Sequence, residues 1–450
     1  MEQVNEKMND MNVEPKKLSA SALKKQAKEA EKQRKKEEIR QRLELEKAER
    51  EAADFARAHY GELKLIQSTE RTNRVWQDIS SLSLDQVGQR VLIRARLQNA
   101  RGSGKQAFIV LRQREHTVQG ILSVDESNVS KGMVKFAASV PKESIVQVEG
   151  AVVKVAEQVE SCSQHDLEIH IDRFFIVSKA LRIPMTIEDA SRNELVKQVE
   201  DDDGQALPIV PLDTRLNHRI IDLRTLTNQS IFKVQSGVCQ LFREYLLSIG
   251  FQEIHTPKMI STASEGGASV FKINYFKGEA FLAQSPQFFK QMAICSDFGR
   301  VFEIGPVFRA ENSLTHRHMT EFTGLDLEME FKEHYHEVLT VIGDTFKYIF
   351  KGLETKFAFE LENIRKQYPF EPFQYLEETL ILTFSQGVAM LREAGEEMGD
   401  YEDLSTAKER ILGKLVKEKY NTDFFILDRF PSSVRPFYTM PDPADPVLSV

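Results

Sequence analysis

EIGPVFRAENSLTHRHMTEFTGLDLEM, residues 303–329, is the stretch on which the reading of this chain turns. Two strand-like arms flank a polar, cation-rich loop, which predicts a β-hairpin. In the second arm a period of two puts Phe322, Gly324, Asp326, Glu328 and Glu330 on one face. The other face, Thr323, Leu325, Leu327, Met329 and Phe331, is expected to be core. In the first arm Val307, Arg309 and Glu311 share a face, so a guanidinium is expected over the floor that carries Phe322 and Asp326. Such a floor suits ATP. The planar fork of Arg309 can grip a phosphate and an incoming carboxylate where negative charge develops, and Phe322 can stack on adenine for about 1 to 3 kcal/mol. Glu311, Arg317, His318 and Met319 are expected at the remaining adenine and phosphate edges. Read singly, an Arg-x-Glu is a surface ion pair and a strand Phe is core; the string as a whole carries the reading.

Outward from the hairpin, Ile231, Val234, Val238, Leu241, Phe242, Tyr245 and Ile249 form an apolar stripe that predicts a helix ending at Gly250, before FQEIHTPKM. Between helix and hairpin lies SEGGASVFKINYFKGEAFLAQSPQFFKQM, residues 264–292. Gly266 and Gly267 permit backbone angles closed to other residues, so a loop carrying Glu265 can hinge over a bound ammonium group.

Upstream, VLIRARL, AFIVLRQ, TVQGILSV, SIVQVEGAVVKV and LEIHIDRFFIV are short strand patterns between Gly-containing or polar stretches. Five such strands predict a small antiparallel barrel of the OB type. On AFIVL, Phe108 and Val110 point opposite to Ile109 and Leu111. Phe108 is then either a core aromatic or an exposed platform for an unpaired base, whose edge Gln119 on the adjoining strand would read.

The 450 residues suggest about three domains, and 41% apolar with 28% charged residues allows a sizeable core. No apolar run reaches membrane-spanning length and no N-terminal signal pattern is present, so an intracellular chain with no membrane partner is expected. Cys162, Cys239 and Cys295 stand apart without metal-ligand spacing, and no zinc site is expected. The net charge of −8 hides an asymmetry: residues 16–36 hold nine basic against two acidic residues. This arm, with no wide apolar stripe, predicts a long exposed helix started by Ser19 or Ser21, either an RNA-binding extension or a solvated charged helix.

Residues 303–329 closely resemble motif 2 of class II aminoacyl-tRNA synthetases, in the form carried by eukaryotic cytosolic aspartyl-tRNA synthetases. The helix with FQEIHTPKM resembles motif 1, which implies a homodimer interface at Pro257. SEGG and QSPQFFK resemble the family's mobile loop and amino-acid pocket. The resemblance implies that Glu265, Ser285 and Gln287 hold the amino end of aspartate, while Lys290, oriented by Asp326, pairs with its side-chain carboxylate. An asparagine side chain would then leave a buried lysine without a partner, at about 3 to 5 kcal/mol. It also implies anticodon contacts by Phe108 and Gln119, a phosphate contact by Arg96, and ATP, Mg²⁺ and tRNA(Asp) as cofactors and partner. Membership of a multi-synthetase complex stays open.

The fold expected is therefore α+β: a lysine-rich helical extension over residues 1–70, an OB-fold barrel over 71–180, a hinge over 181–215, and an antiparallel-sheet class II catalytic domain over 216–450. That domain is expected to lack its C-terminal part, because the family's acidic Mg²⁺ pair, a substrate-binding arginine and motif 3 do not occur, so no metal ligands are assigned. Aspartate–tRNA ligase activity is the expected function. The alternative is an incomplete fragment that only binds tRNA or dimerises. A sister synthetase for asparagine or lysine is weakened by GLDLEM and QSPQFFK.

Overall fold

The computed structural model describes residues 34–40, 42, 53–196, 199–200, 204–263, 270–310, 319–435 and 439–450. They form two units, Met1–Pro184 and Met185–Val450. Of the N-terminal arm, residues 34–40 and 42 are helical and exposed. The remainder of its basic run, with Ser19 and Ser21, lies outside the described residues.

In the first unit β1 (Tyr60–Glu62), β2 (Arg90–Ser103), β3 (Gln106–Gln113), β4 (His116–Ser123), β5 (Ile145–Lys154) and β6 (Leu167–Ser178) make one sheet. Its order β1-β6-β4-β3-β2-β5 closes through a β5–β6 pairing, so five strands form a barrel and β1 adds alongside Phe174–Ile176 in parallel. The alternation of each strand explains the closure. Ile93, Leu97, Ile109, Leu111, Val118, Leu122, Val148 and Phe174 point inward and are fully buried, which leaves polar neighbours outside. The helix α1 (Lys131–Ser139), which the strand patterns do not signal, plugs the barrel with Met133, Val134 and Ala137. Ser130 caps it by accepting a hydrogen bond from the Met133 amide at 3.1 Å.

The second unit contains α2 (Leu226–Ser248), β7 (Gln252–Glu253), β8 (Met259–Ile260), β9 (Lys272–Tyr275), β10 (Gly278–Leu282), α3 (Gln287–Cys295), β11 (Arg300–Phe308), β12 (Glu321–Met329), α4 (His336–Lys356), α5 (Ala358–Gln367), β13 (Leu380–Thr383), α6 (Phe384–Glu393), α7 (Thr406–Tyr420) and β14 (Phe425–Asp428). The β11–β12 hairpin is antiparallel, with Val307 opposite Phe322, Gly305 opposite Gly324 and Glu303 opposite Asp326. Two pairings depart from an all-antiparallel sheet: β7 joins β11 in parallel, and β13 pairs with β14 in parallel.

Helix α2 starts at Thr225, whose side chain accepts from the Asn228 amide, and ends before Gly250 at φ 86°. Leu241 and Phe242 of its stripe are buried against Phe302 and Ile349, with Val238, Tyr245 and Ile249 packed at the margin. Ile231, at the opposite end of the stripe, is exposed. Residues 181–215, expected as a pattern-poor connection, contain a short helix (Ile187–Ala190), a two-residue ladder (Val199–Glu200 with Ala206–Leu207) and a helix (Leu212–Asn217). Arg215 on that last helix is 2% exposed and held by Tyr368 Oη at 3.1 Å, Glu194 at 3.3 Å and Asp222 at 3.7 Å. A buried guanidinium so placed ties the segment into the second unit.

Candidate functional site

The hairpin supplies a floor. Successive even-numbered residues of β12 share one face, and Phe322, Gly324, Asp326 and Glu328 are all half-buried there. The opposite face is core only at its far end. Met329 is buried and Leu327 packs on the core cluster, but Thr323 and Leu325 are exposed, because the hairpin extends beyond the helices that cover its base, and Phe331 past the strand end is exposed as well. Gly305 and Gly324 face each other across the ladder. A Cβ on Gly324 would lie 3.0 Å from Val307 Cγ2, and one on Gly305 would lie 3.3 Å from Lys258 Nζ and Glu303 Oε1. The floor between Phe322 and Asp326 is thus bare backbone.

Lys290 rises to that floor from α3. Its ammonium donates to Asp326 Oδ1 at 2.5 Å and to the Leu327 carbonyl at 3.3 Å, and stands 3.2 Å from Glu328 Oε2. Burial pulls its pKa down, but the hydrogen bond and charge of Asp326, joined by Glu328, outweigh this and hold it above the ordinary lysine value. All three donors of the ammonium are engaged. This corrects the selection argument made from sequence. An asparagine side chain would not strand Lys290, which carries two carboxylates of its own.

Beside Lys290, the Gln287 amide donates to Ser285 Oγ at 3.4 Å. Pro257 itself is exposed, and its two neighbours grip the hairpin. Thr256 gives its amide and hydroxyl to Glu303 at 2.8 and 2.7 Å, and Lys258 pairs with the same carboxylate at 3.0 Å. Glu303, 4% exposed and opposite Asp326, was not singled out by sequence reading, although a charged residue inside an apolar strand is a signal.

At the other end of the floor the Arg309 guanidinium lies 5.5 Å over the Phe322 ring. Its Nε is buried and has no hydrogen-bond partner among the described residues. Arg309, Phe322 and Met319 form one wall of a cavity of about 690 Å³. The facing wall comes from residues that the motifs did not indicate: Asp403, Ser405, Thr406 and Glu409 at the start of α7, with Phe430 and Arg435. Ser405 caps α7 by accepting from the Lys408 amide at 3.3 Å, and the Arg435 guanidinium stacks 3.6 Å from the Phe430 ring centre. A helix start and two arginines, set against the carboxylates of Asp403 and Glu409 and two aromatic rings, give the cavity donors and acceptors around a flat ring. Glu265, Glu311, Arg317 and His318 lie outside the described residues.

On the barrel, Phe108 is half-buried on the outer surface beside buried Ile109, so it is not a core aromatic. Gln119, on β4 opposite Val110, donates to Glu168 Oε2 at 2.9 Å. Arg96 sits opposite Arg112 and donates to the Glu143 carbonyl at 3.2 Å. It is four residues of β3 away from Phe108, roughly 13 Å, and does not adjoin it.

Comparison with known proteins agrees with both units. Residues 211–449 match the model of class II tRNA synthetases (D, K and N), and residues 91–177 match the OB-fold nucleic acid binding domain. The cytoplasmic aspartate–tRNA ligase of Bos taurus is 55% identical over 399 residues, covering 88% of this chain and 78% of that protein. The human one is 54% identical with the same coverage. The aspartyl-tRNA synthetase structure from Entamoeba histolytica is 44% identical, with a TM-score of 0.78 over 87% of this chain and 78% of that one. Fold, floor and these likenesses converge, and the chain belongs to the aspartate–tRNA ligase family of class II tRNA synthetases.

Proposed function

We propose that the chain is a cytoplasmic aspartate–tRNA ligase. Aspartate and ATP give aspartyl-adenylate and pyrophosphate, and the aspartyl group then passes to a terminal ribose hydroxyl of tRNA(Asp), releasing AMP. The observation that carries this reading is the single face of β12, with Arg309 over Phe322 at one end, Lys290 clamped at the other, and bare glycine backbone between. Phe322 to Asp326 spans roughly 13 Å, enough for an adenylate laid along the strand. Arg309 would hold the α-phosphate as the aspartate carboxylate attacks, and its Nε, unpaired among the described residues, is a donor for that charge. No side chain becomes covalently attached; orientation and electrostatics do the chemistry.

The substrate's side-chain carboxylate would meet Lys290 and take the place of Glu328 on it, since the ammonium has no spare donor. Ser285, Gln287 and Glu265 would hold the amino end. Mg²⁺ accompanying ATP supplies charge neutralisation on the phosphates, and among the described residues no group of three or more His, Cys, Asp or Glu side chains could hold a metal ion. The strap around Pro257, tied to Glu303, suits a homodimer interface that braces the floor. The tRNA anticodon would stack on Phe108, with Gln119 exchanging Glu168 for a base edge and Arg96 serving the backbone at a distance.

Aspartate-dependent exchange between ATP and pyrophosphate tests the reading, with tRNA binding measured on the same sample. Exchange that asparagine does not support is expected. Folded chain that binds tRNA without any exchange would overturn the enzymatic assignment.

A further inference from the structure

The sequence has one tryptophan, Trp76, and it is 41% exposed on the barrel. The Gln77 amide bonds to the Leu92 carbonyl at 2.9 Å and fixes this residue beside β2. Two guanidiniums lean on its ring: Arg94 at 4.4 Å from the centroid and Arg74 at 5.4 Å. Holding two cations on one ring is costly unless something negative joins them. Little does. The neighbouring carboxylate, Glu149, is 3.7 Å from Arg74 and 3.9 Å from Arg173, so it is shared. Among the described residues Arg94 bonds neutral Gln147 at 3.2 Å, and its buried Nε has no hydrogen-bond partner. Burial, then the charge of Arg74, pushes the Arg94 pKa below its usual value, as expected of a cation with too little compensation.

Arg94 and Arg96 alternate with the buried Ile93, Ala95 and Leu97, so they lie on the outer face of β2. Further along, Arg101 pairs with Phe108 across the ladder. From Arg94 to Arg101 is roughly 23 Å of strand. The outer surface therefore carries a line of cations that runs from the tryptophan to the base platform proposed above.

We infer that Arg74, Trp76 and Arg94 form a second RNA contact, in which the two guanidiniums beside the indole bind a phosphate of the same tRNA that stacks on Phe108. The inference rests on the tRNA reading and extends it to a surface at the other end of β2. Phosphate gives the missing counter-charge, and Arg rather than Lys suits it because the planar fork stacks and chelates together.

Because Trp76 is unique, its fluorescence reports on this spot alone. The full chain is titrated with an unmodified tRNA(Asp) transcript, following tryptophan emission and, in parallel, anisotropy of end-labelled transcript. Emission is expected to change in step with binding. The double variant Arg74→Ala/Arg94→Ala should weaken binding roughly tenfold at 0.1 M salt and lower the slope of log K against log salt by about 1. Arg74→Lys/Arg94→Lys should keep most of the slope, which separates lost charge from lost folding. Binding by anisotropy with unchanged emission, or an unaltered salt slope in the alanine variant while Phe108→Ala still weakens binding, would overturn this contact and leave the anticodon reading intact. Failure of the unaltered chain to bind the transcript would overturn both.

Discussion

Lys290 is the residue at which charge balance is tightest. It faces Asp326 and Glu328 together, so the trio is net negative before any substrate arrives. Glu328→Gln removes the carboxylate that competes with the substrate's own, and KM for aspartate in pyrophosphate exchange should fall several-fold. Asp326→Asn removes the partner that aims the ammonium and should raise that KM about tenfold, the loss of one charged hydrogen bond of roughly 1.5 kcal/mol. Opposite shifts from two neighbouring carboxylates are the diagnostic; equal shifts would refute the assignment. The raised Lys290 pKa also has a sign in stability. Its contribution is complete below the ordinary lysine value and is lost only as pH rises through the higher folded value, so alkaline unfolding above about pH 10.5 should come earlier in wild type than in neutral pH comparisons with Lys290→Met would suggest. A urea series at pH 7 and pH 11 measures it.

Among elements, α2 is held by close approach rather than by bulk. A Cβ on Gly237 would lie 2.5 Å from the Phe357 ring, and one on Gly352 of α4 would lie 2.4 Å from Leu241 of α2. Gly237→Ala gains up to about 1 kcal/mol of helix propensity but forces the ring aside, a loss of about 1 to 3 kcal/mol. A net drop in the thermal midpoint is expected, and a rise would show that the ring has room to move. In the barrel the turn before α1 depends on Asp125, whose carboxylate accepts from the amides of Asn128, Ser127 and Val129. These bonds hold its pKa below the usual carboxylate value. The stability they add is present above about pH 4 and is lost as pH falls through the lower folded value. Asp125→Ala should therefore destabilise at pH 7 and make little difference near pH 2, read by chemical denaturation.

For the whole molecule, what was legible followed the local periods. The five barrel strands came from alternation, the hairpin register from the same period, and the α2 stripe from a period of 3.6. Alternation put Phe108 and Ile109 on opposite faces but left open which one is core; the fold buries Ile109. What was not legible depends on residues far apart. The wall from α7, Phe430 and Arg435 carries no period that points at Arg309, and α1 is too short and too mixed to stand out between strands. Glu328 was placed on the correct face, yet its grip on Lys290 needs α3 to be docked first. The parallel pairing of β7 with β11 joins segments separated by β8, β9, β10 and α3, which no window on the sequence can see.

The parallel addition of β1 to β6 has a consequence in time. Glu62 at the end of β1 receives the Lys179 ammonium from 117 residues away, and Tyr60 pairs with Phe174 over nearly the same span. A ribosome adds about 5 to 20 residues each second, so on the order of ten seconds pass between the appearance of β1 and that of its partner. Through that interval β1 lacks its ladder partner, and the barrel can seal only when its last strand has left the exit tunnel. The nascent chain is thus most exposed to chaperones and proteases just before residue 178 emerges, and a ribosomal pause placed shortly after that point would shorten the danger.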